Sequence, residues 1–136
     1  MKKSSAYVDT GAFIAFLDRS DSYHDLFARL FADPPPLWTT PLVLAEGHAW
    51  FLRRYDAPRG LQFAAFIEEL PGMTISNVGH KEVQAATGYL RKFQDQKLTL
   101  ADALGLHVIN SQKLKVVWAT DRHLALTGAE LVIHHK

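Results

Sequence analysis

Four acidic residues stand where a carboxylate has little structural reason to be. Asp9 closes the run AYVD and Asp121 closes VVWATD, so both are expected at the carboxyl ends of buried strands. Glu46 lies in PLVLAEGHAW and Asp102 in KLTLADALGLHVI, where the residues three and four positions away are mostly apolar. Two carboxylates about 4 Å apart repel by roughly 4 kcal/mol at an effective dielectric of 20, and burying either one alone is unfavourable. The four acids together therefore predict a divalent cation site.

Hard oxygen ligands select Mg²⁺ or Mn²⁺ over softer metals, and Mg²⁺ keeps several of its waters. Such a site suits phosphodiester hydrolysis by an activated water, with a second ion at the leaving 3′-oxygen as an open alternative. We expect Asp9 and Asp121 to be the principal ligands, and Asp102 to bind directly or through water. Glu46 is expected to complete a second site or to accept the proton of the attacking water.

Three of these acids, taken one at a time, also fit a purely structural role. Asp9, Asp102 and Asp121 each lie at the start of a predicted helix, where a carboxylate can cap backbone N–H groups. Glu46, in mid-helix, has no such role. The seven histidines lack HExxH-type spacing, which disfavours zinc, and His123 is expected to support the site or lie on the surface. The absence of Cys removes disulfides, thiolate zinc sites and thiol nucleophiles.

The composition indicates one globular domain, residues 1–136, with a hydrophobic content of 48% and no linker or low-complexity tract. A net charge of +1 gives no general argument for nucleic-acid binding, which would have to rest on local patches. The sequence has neither a signal-peptide pattern nor an apolar stretch of membrane-spanning length. A cytoplasmic location is therefore expected.

The order of the predicted elements indicates an α/β fold. Short β-branched or aromatic runs alternate with segments of 3.6-residue periodicity, which is typical of βαβ units on a parallel sheet. Strands are predicted at 6–9, 37–39, 73–76, 115–119 and 130–133. Thr40 and Pro41 fit the start of the helix that carries Glu46, and Thr99 with Asp102 resembles a capping box. If the first and fourth strands are neighbours where the winding reverses, Asp9 and Asp121 meet across the crevice.

Four segments resemble the PIN-domain family of metal-dependent nucleases and, within it, the VapC-type toxins of bacterial toxin–antitoxin pairs. They are YVDTGAFIAFLDRSDSYH, TTPLVLAEGHAWFLRR, LTLADALGL and ATDRHLALTGAEL, and their acids follow the family order. The resemblance implies a three-layer α/β/α sandwich with a five-stranded parallel sheet, Mg²⁺ or Mn²⁺ in an acidic pocket, and cleavage of single-stranded RNA. It also implies a homodimer and a small antitoxin partner, which we expect to insert an Arg or a blocking segment into the pocket.

Hydroxyl residues accompany these acids. Thr10 and Thr99 match family positions that orient carboxylates or metal-bound water, and Thr120, beside Asp121, is assigned to the same supporting group. Three residues depart from the family pattern: Gly11 replaces a Ser or Asn, Gly47 replaces a Thr or Ser, and Leu124 replaces a Phe. These departures bear on metal affinity and substrate fit more than on the class of reaction.

Basic residues near the acids are candidates for holding the RNA backbone. They are Arg53, Arg54, Lys97 and Arg122. Trp50 or Tyr55 could stack an unpaired base. The simpler interpretation is that Trp50 belongs to the core and that Arg53 and Arg54 form a solvated helix end.

Two other classes of function compete with a nuclease. A haloacid-type phosphatase needs a second Asp two residues after the first, where this chain has Gly11, and the acid pair and late Lys of a receiver domain are not evident. A non-catalytic PIN-like domain that binds nucleic acid or protein remains open because of Gly11 and Gly47. An RNA maturation or decay nuclease outside a toxin system is the remaining alternative.

Overall fold

A computed structural model describes residues 4–134 of the chain. Within this range, five strands form one parallel sheet. The strands are β1 (Ala6–Val8), β2 (Leu37–Thr39), β3 (Met73–Ile75), β4 (Val116–Trp118) and β5 (Glu130–Leu131). The helices are α1 (Thr10–Leu17), α2 (His24–Ala32), α3 (Pro41–Arg54), α4 (Ala57–Glu69), α5 (His80–Lys92) and α6 (Leu100–Ser111). Short 3₁₀ turns cover Gln94–Gln96, Arg122–Ala125 and Val132–His134.

The sheet is buried on both faces, because alternate residues of each strand point to opposite sides. In β1, Ala6 and Val8 join a cluster with the phenylalanines of α1, α2 and α4, whereas Tyr7 packs with Leu106 and Ile109 of α6. Helices α1 to α4 therefore cover one face, and α5 and α6 cover the other. The expected three-layer α/β/α sandwich with a five-stranded parallel sheet is confirmed.

The strand order β3-β2-β1-β4-β5 places the reversal of winding between β1 and β4, which is the condition under which Asp9 and Asp121 were expected to face each other. Val8 pairs with Trp118 at the carboxyl ends of these two strands, and the backbone N–H of Asp9 donates to the Trp118 carbonyl at 2.9 Å. Ligands of open parallel sheets bind at such a reversal. The residues that follow β1 and β4 thus mark the expected position of the site.

The last strand is shorter than predicted. The pattern indicated a strand over 130–133, but β5 ends at Leu131 and only Glu130 and Leu131 pair with β4. The chain then turns into a 3₁₀ segment because Val132 buries its side chain in the cluster on the α1–α4 face. Residues 1–3 and 135–136 of the expected domain lie outside the described range.

No helix between residues 4 and 134 has both the length and the apolar character needed to cross a bilayer.

Candidate active site

Asp9 lies at the edge of the sheet formed by the carboxyl ends of its strands. We call the part of this edge that carries Asp9, Glu46, Asp102 and Asp121 the acidic edge. Asp9 is the first residue after β1 and the N-cap residue of α1, yet its side chain makes no capping hydrogen bond. The pKa of its carboxyl group is raised to about 7, by burial first and then by the charges of Asp102, Glu46 and Asp121, while a backbone hydrogen bond from Thr10 lowers it. The Coulombic effect of three other acids on one buried carboxyl shows that strand, loop and helix bring all four to the same edge.

Asp102 and Asp121 contact the same histidine. Nδ1 of His123 lies 3.3 Å from Oδ2 of Asp102 and 3.4 Å from Oδ1 of Asp121. The Asp102 side chain is 13% exposed, and it accepts a hydrogen bond from the backbone N–H of Thr99 at 3.1 Å in the predicted capping box. Asp121 is 56% exposed and accepts from the backbone N–H of His123 at 2.7 Å. His123 thus has a larger structural part in the site than its sequence position suggested.

Glu46 meets the site from α3. Its Oε1 accepts a hydrogen bond from the Thr10 hydroxyl at 2.8 Å, which joins α3 to the start of α1. The sequence placed Glu46 on an apolar helix face, and this expectation is wrong: the residue is exposed. The buried face of α3 consists of Val43, Gly47 and Phe51, and residue 46 is rotated away from it by one position.

The glycine departures have structural counterparts. A Cβ atom at Gly11 would lie 2.5 Å from Oγ1 of Thr120, so the Thr120 hydroxyl occupies the space of a side chain at position 11. A Cβ at Gly47 would lie 1.9 Å from the Phe63 ring, which packs directly on α3. The third departure, Leu124, is buried in the cluster on the α6 face.

Two of the basic candidates, Arg53 and Arg54, lie at the end of α3. Arg53 lines a pocket with Glu46, whereas the Arg54 guanidinium lies over the rings of Trp50 at 5.2 Å and Tyr55 at 5.8 Å. Both arginines are exposed, and Trp50 is half-buried at the border of the core.

The other two basic candidates belong to the side of α6. Nη1 of Arg122 donates to Oε1 of Gln96 at 3.0 Å. Lys97, the next residue after Gln96, is exposed and has a left-handed backbone with φ of 55°. Of the four basic candidates, Arg53 thus shares a pocket with Glu46 and Arg122 follows Asp121 in the chain, whereas Arg54 lies against Trp50 and Tyr55.

Two buried hydroxyl groups, those of Tyr7 and Thr40, lie close to each other but make no hydrogen bond of normal geometry within residues 4–134. Burial raises the pKa of Tyr7 and the charge of Asp9 raises it further, whereas the Thr40 hydroxyl lowers it. Tyr7 was not among the predicted site residues, although a tyrosine inside a buried strand always carries a hydroxyl that needs a partner.

The donor set fits a hard divalent cation. Across residues 4–134, no Lys or Arg forms an ion pair with any of the four acids, and the charge of Asp9 acts on the buried Tyr7 hydroxyl, which makes no hydrogen bond of normal geometry. Within the described chain, no three His, Asp or Glu side chains form a ready metal-holding group. The four carboxylates therefore do not surround one common ion position in this structure. Glu46, Asp102 and Asp121 instead accept hydrogen bonds from protein donors, which an arriving cation would have to displace or share.

Comparison with known proteins agrees with this architecture. The family model of the PIN domain matches residues 6–130. Ribonuclease VapC26 of Mycobacterium tuberculosis is 25% identical over 118 residues, which cover 85% of each chain. The crystal structure of VapC20 of the same organism, described as a sarcin-ricin loop cleaving toxin, superposes with a TM-score of 0.82 at 22% identity, covering 91% of this chain and 95% of that one. A toxin–antitoxin complex from Klebsiella pneumoniae gives a TM-score of 0.63 at 15% identity, with 93% and 94% covered. The chain belongs to the PIN domain family.

Proposed function

We propose that this protein is a metal-dependent endoribonuclease of the VapC type, which hydrolyses phosphodiester bonds of single-stranded RNA and acts as the toxin of a toxin–antitoxin pair. The observation that carries the proposal is the buried Asp9 carboxyl at the end of β1, whose pKa is raised by burial first and then by Asp102, Glu46 and Asp121, three acids that form no ion pair with a Lys or Arg within residues 4–134. The names of the relatives support the substrate, because VapC26 is a ribonuclease and VapC20 is a toxin that cleaves an RNA loop.

In this proposal Asp9, Glu46, Asp102 and Asp121 hold Mg²⁺ or Mn²⁺. The bound cation supplies positive charge for the phosphate and lowers the pKa of water, the chemistry that hydrolysis at neutral pH requires. The residue types favour these two ions, since the four ligands offer only carboxylate oxygens.

The supporting residues fix the carboxylates. The Thr10 hydroxyl holds Oε1 of Glu46, which leaves Oε2 either to bind the cation or to accept the proton of the attacking water. The backbone N–H of Thr99 holds Asp102, and His123 lies between Asp102 and Asp121 with its Nδ1 at 3.3 and 3.4 Å from their carboxylate oxygens. The RNA backbone is guided across the acids by Arg53, Arg54, Lys97 and Arg122.

The substitution Asp9→Asn tests the reaction. It keeps the shape of the side chain and removes its charge, so Mg²⁺-dependent cleavage of single-stranded RNA should fall by on the order of 100-fold or more. Growth arrest on expression should be lost as well. Asp56→Asn is the matched control, because Asp56 caps α4 through the Arg59 N–H and Asn caps equally well. Equal cleavage by the wild type and the Asp9→Asn variant would refute the proposal.

The partner protein belongs to the same proposal. A small antitoxin would insert an Arg or a blocking segment among the four acids, where no Lys or Arg of the described chain competes with it. Co-expression with the product of a short neighbouring reading frame should restore growth, and the structure of the complex should show the acids covered. A complex that leaves all four open contradicts this part. We also propose that the protein is located in the cytoplasm and forms a homodimer. Light scattering, which measures the molar mass in solution, tests the homodimer.

A non-catalytic binding domain is the second candidate, favoured by the absence of a ready metal-holding group within residues 4–134. Such a domain would bind RNA or protein without cutting. Neither the wild type nor Asp9→Asn would then cleave an RNA substrate in Mg²⁺ or in Mn²⁺.

A further inference from the structure

A pocket of about 350 Å³ opens beside the acidic edge, between the start of α1 and the middle of α3. It is lined by Thr10, Gly11, Ile14, Glu46, Trp50 and Arg53. Since Glu46 belongs both to this pocket and to the acidic quartet, whatever fills the pocket lies next to the proposed reaction centre.

Gly11 lines this pocket with backbone alone. A Cβ atom at position 11 would lie 2.5 Å from Oγ1 of Thr120, which is not among the lining residues, so a side chain there would meet Thr120 first. The wall of the pocket at position 11 is therefore formed by the main chain.

Trp50 forms a wall that its neighbours hold in place. Its ring meets the Phe51 ring edge-on at 4.8 Å, and the Arg54 guanidinium lies 5.2 Å from its centroid. The indole is half-buried against the core, so it keeps a fixed orientation. A rigid aromatic wall is the feature on which proteins stack unpaired bases.

The other side chains that line the pocket indicate what kind of ligand would bind there. Ile14 adds an apolar surface, and the exposed Arg53 adds a permanent positive charge at the same pocket. An apolar aromatic group joined to an anion fits this combination, and a nucleotide is such a group. The volume is at the lower end of the roughly 300–1,000 Å³ of small-ligand pockets, which suits one nucleotide better than a peptide segment.

We propose that this pocket is a base-binding subsite that takes the unpaired nucleotide adjacent to the scissile phosphate, with the base against Trp50 and its phosphate at Arg53. The inference rests on the proposed ribonuclease function and specifies its substrate: the RNA must offer an unstacked nucleotide beside the cut, as loops and single strands do.

Abasic substitution in the RNA tests the subsite. A cleaved oligonucleotide is resynthesised with one abasic nucleotide at each position flanking the cut, and kcat/KM is measured for the wild type and for Trp50→Leu, which keeps an apolar side chain. We expect one flanking abasic position to lower the kcat/KM of the wild type by roughly 10-fold, within the range of aromatic stacking, and that of Trp50→Leu by less than about 2-fold. Trp50→Phe, which retains a ring, should restore the dependence. Leu52→Ala is the control, since Leu52 is exposed on the same helix and does not line the pocket.

A second variant covers the case in which Trp50→Leu fails to fold. Arg53 is exposed, so Arg53→Gln should fold normally and raise the KM of intact RNA several-fold with little change in kcat. Arg59→Gln, on α4 against Tyr55, should leave KM unchanged.

The outcomes separate the two proposals. If the wild type cleaves RNA but every abasic position has the same effect in the wild type and in Trp50→Leu, or Arg53→Gln leaves KM unchanged, the subsite is refuted and the ribonuclease function stands. If Trp50→Leu weakens antitoxin binding while the abasic profile stays unchanged, the pocket docks protein and the subsite is again refuted. A wild type that cleaves no RNA in Mg²⁺ or Mn²⁺ refutes both.

Discussion

The Asp9 carboxyl group is less stable as an anion in the metal-free fold than in the unfolded chain. Burial first, and three neighbouring acids after it, raise its pKa from the ordinary 3.8 to about 7. Between these two values the folded chain binds more protons than the unfolded one. The stability that protonated Asp9 contributes is therefore fully present below pH 3.8 and is lost as the pH rises through 7.

Asp9→Asn should consequently stabilise the metal-free protein at alkaline pH, because the amide resembles the protonated acid. At pH 8 in EDTA, the free energy of unfolding in urea should rise by on the order of 2 to 4 kcal/mol, and the gain should shrink towards zero near pH 4. A gain that is equal at both pH values would show that charge is not its cause. Asp56→Asn, at an exposed helix cap, should show little change at either pH.

The contact between Gly11 and Thr120 gives a second test at this scale. Gly11→Ser should lower the free energy of unfolding by about 1 to 3 kcal/mol, since its Cβ would lie 2.5 Å from Oγ1 of Thr120. Thr120→Ala removes that oxygen, so the double variant should be more stable than the sum of the single effects predicts. Urea unfolding of the four proteins measures the coupling, and simple additivity would contradict the contact.

The sequence predicted the positions of some site residues and not of others. The positions of Asp9 and Asp121 were predictable, because Asp9 directly follows β1, Asp121 comes three residues after β4, and the carboxyl ends of parallel strands share one edge. The exposure of Glu46 was not, because local periodicity does not fix how far α3 is rotated about its axis. The contacts of His123 depend on the 3₁₀ turn after Asp121 folding back on α6, which no local pattern encodes.

At the scale of the helices, α3 and α4 pack closely because one glycine leaves room for an aromatic ring. Gly47 is buried in α3 and faces Phe63 of α4, which also packs edge-on against Phe13 at 6.0 Å. The family residues Thr or Ser could not stand here without moving Phe63. The departure at position 47 is therefore a feature of core packing in this chain.

Gly47→Ala should destabilise the protein even though Ala is the better helix former. The Cβ atom would overlap the Phe63 ring, and we expect a loss of about 1 to 3 kcal/mol in the free energy of unfolding. Gly88→Ala is the matched control, because Gly88 lies inside α5 with no atom within 4 Å of the added Cβ. That change should stabilise by about 0.5 to 1 kcal/mol. Equal effects of the two substitutions in thermal unfolding would exclude the proposed packing.

Most element boundaries were predictable from local chemistry. Pro41 and the Thr99–Asp102 capping box marked two helix starts, and the β-branched runs marked the strands. The end of β5 was not predictable, because Val132 continues the apolar pattern of a strand while tertiary packing turns it into the core.

For the whole molecule, the sheet order decides that the acids converge. Alternation of strands and helices predicts a parallel sheet, but not which strands are neighbours, and Asp9 meets Asp121 only because β1 pairs with β4. The sequence left this order as a condition, and the structure shows that β1 and β4 are neighbours. The fold therefore gathers negative charge at one edge, at a cost in stability that a cation can remove.

Binding of Mn²⁺ should accordingly raise the stability of the whole fold in a pH-dependent way. At pH 7.5, a tenfold excess over the dissociation constant should add about 1.4 kcal/mol to the free energy of unfolding. Because a ligand must lose its proton to bind, and the pKa of Asp9 is about 7, the shift should weaken below pH 7 and vanish near pH 5. Differential scanning fluorimetry across this pH range measures it, with Asp9→Asn as the variant that should show no shift and Asp56→Asn as the one that should keep it. A wild type whose melting temperature ignores Mn²⁺ at pH 7.5 would contradict a cation as the partner of the four acids.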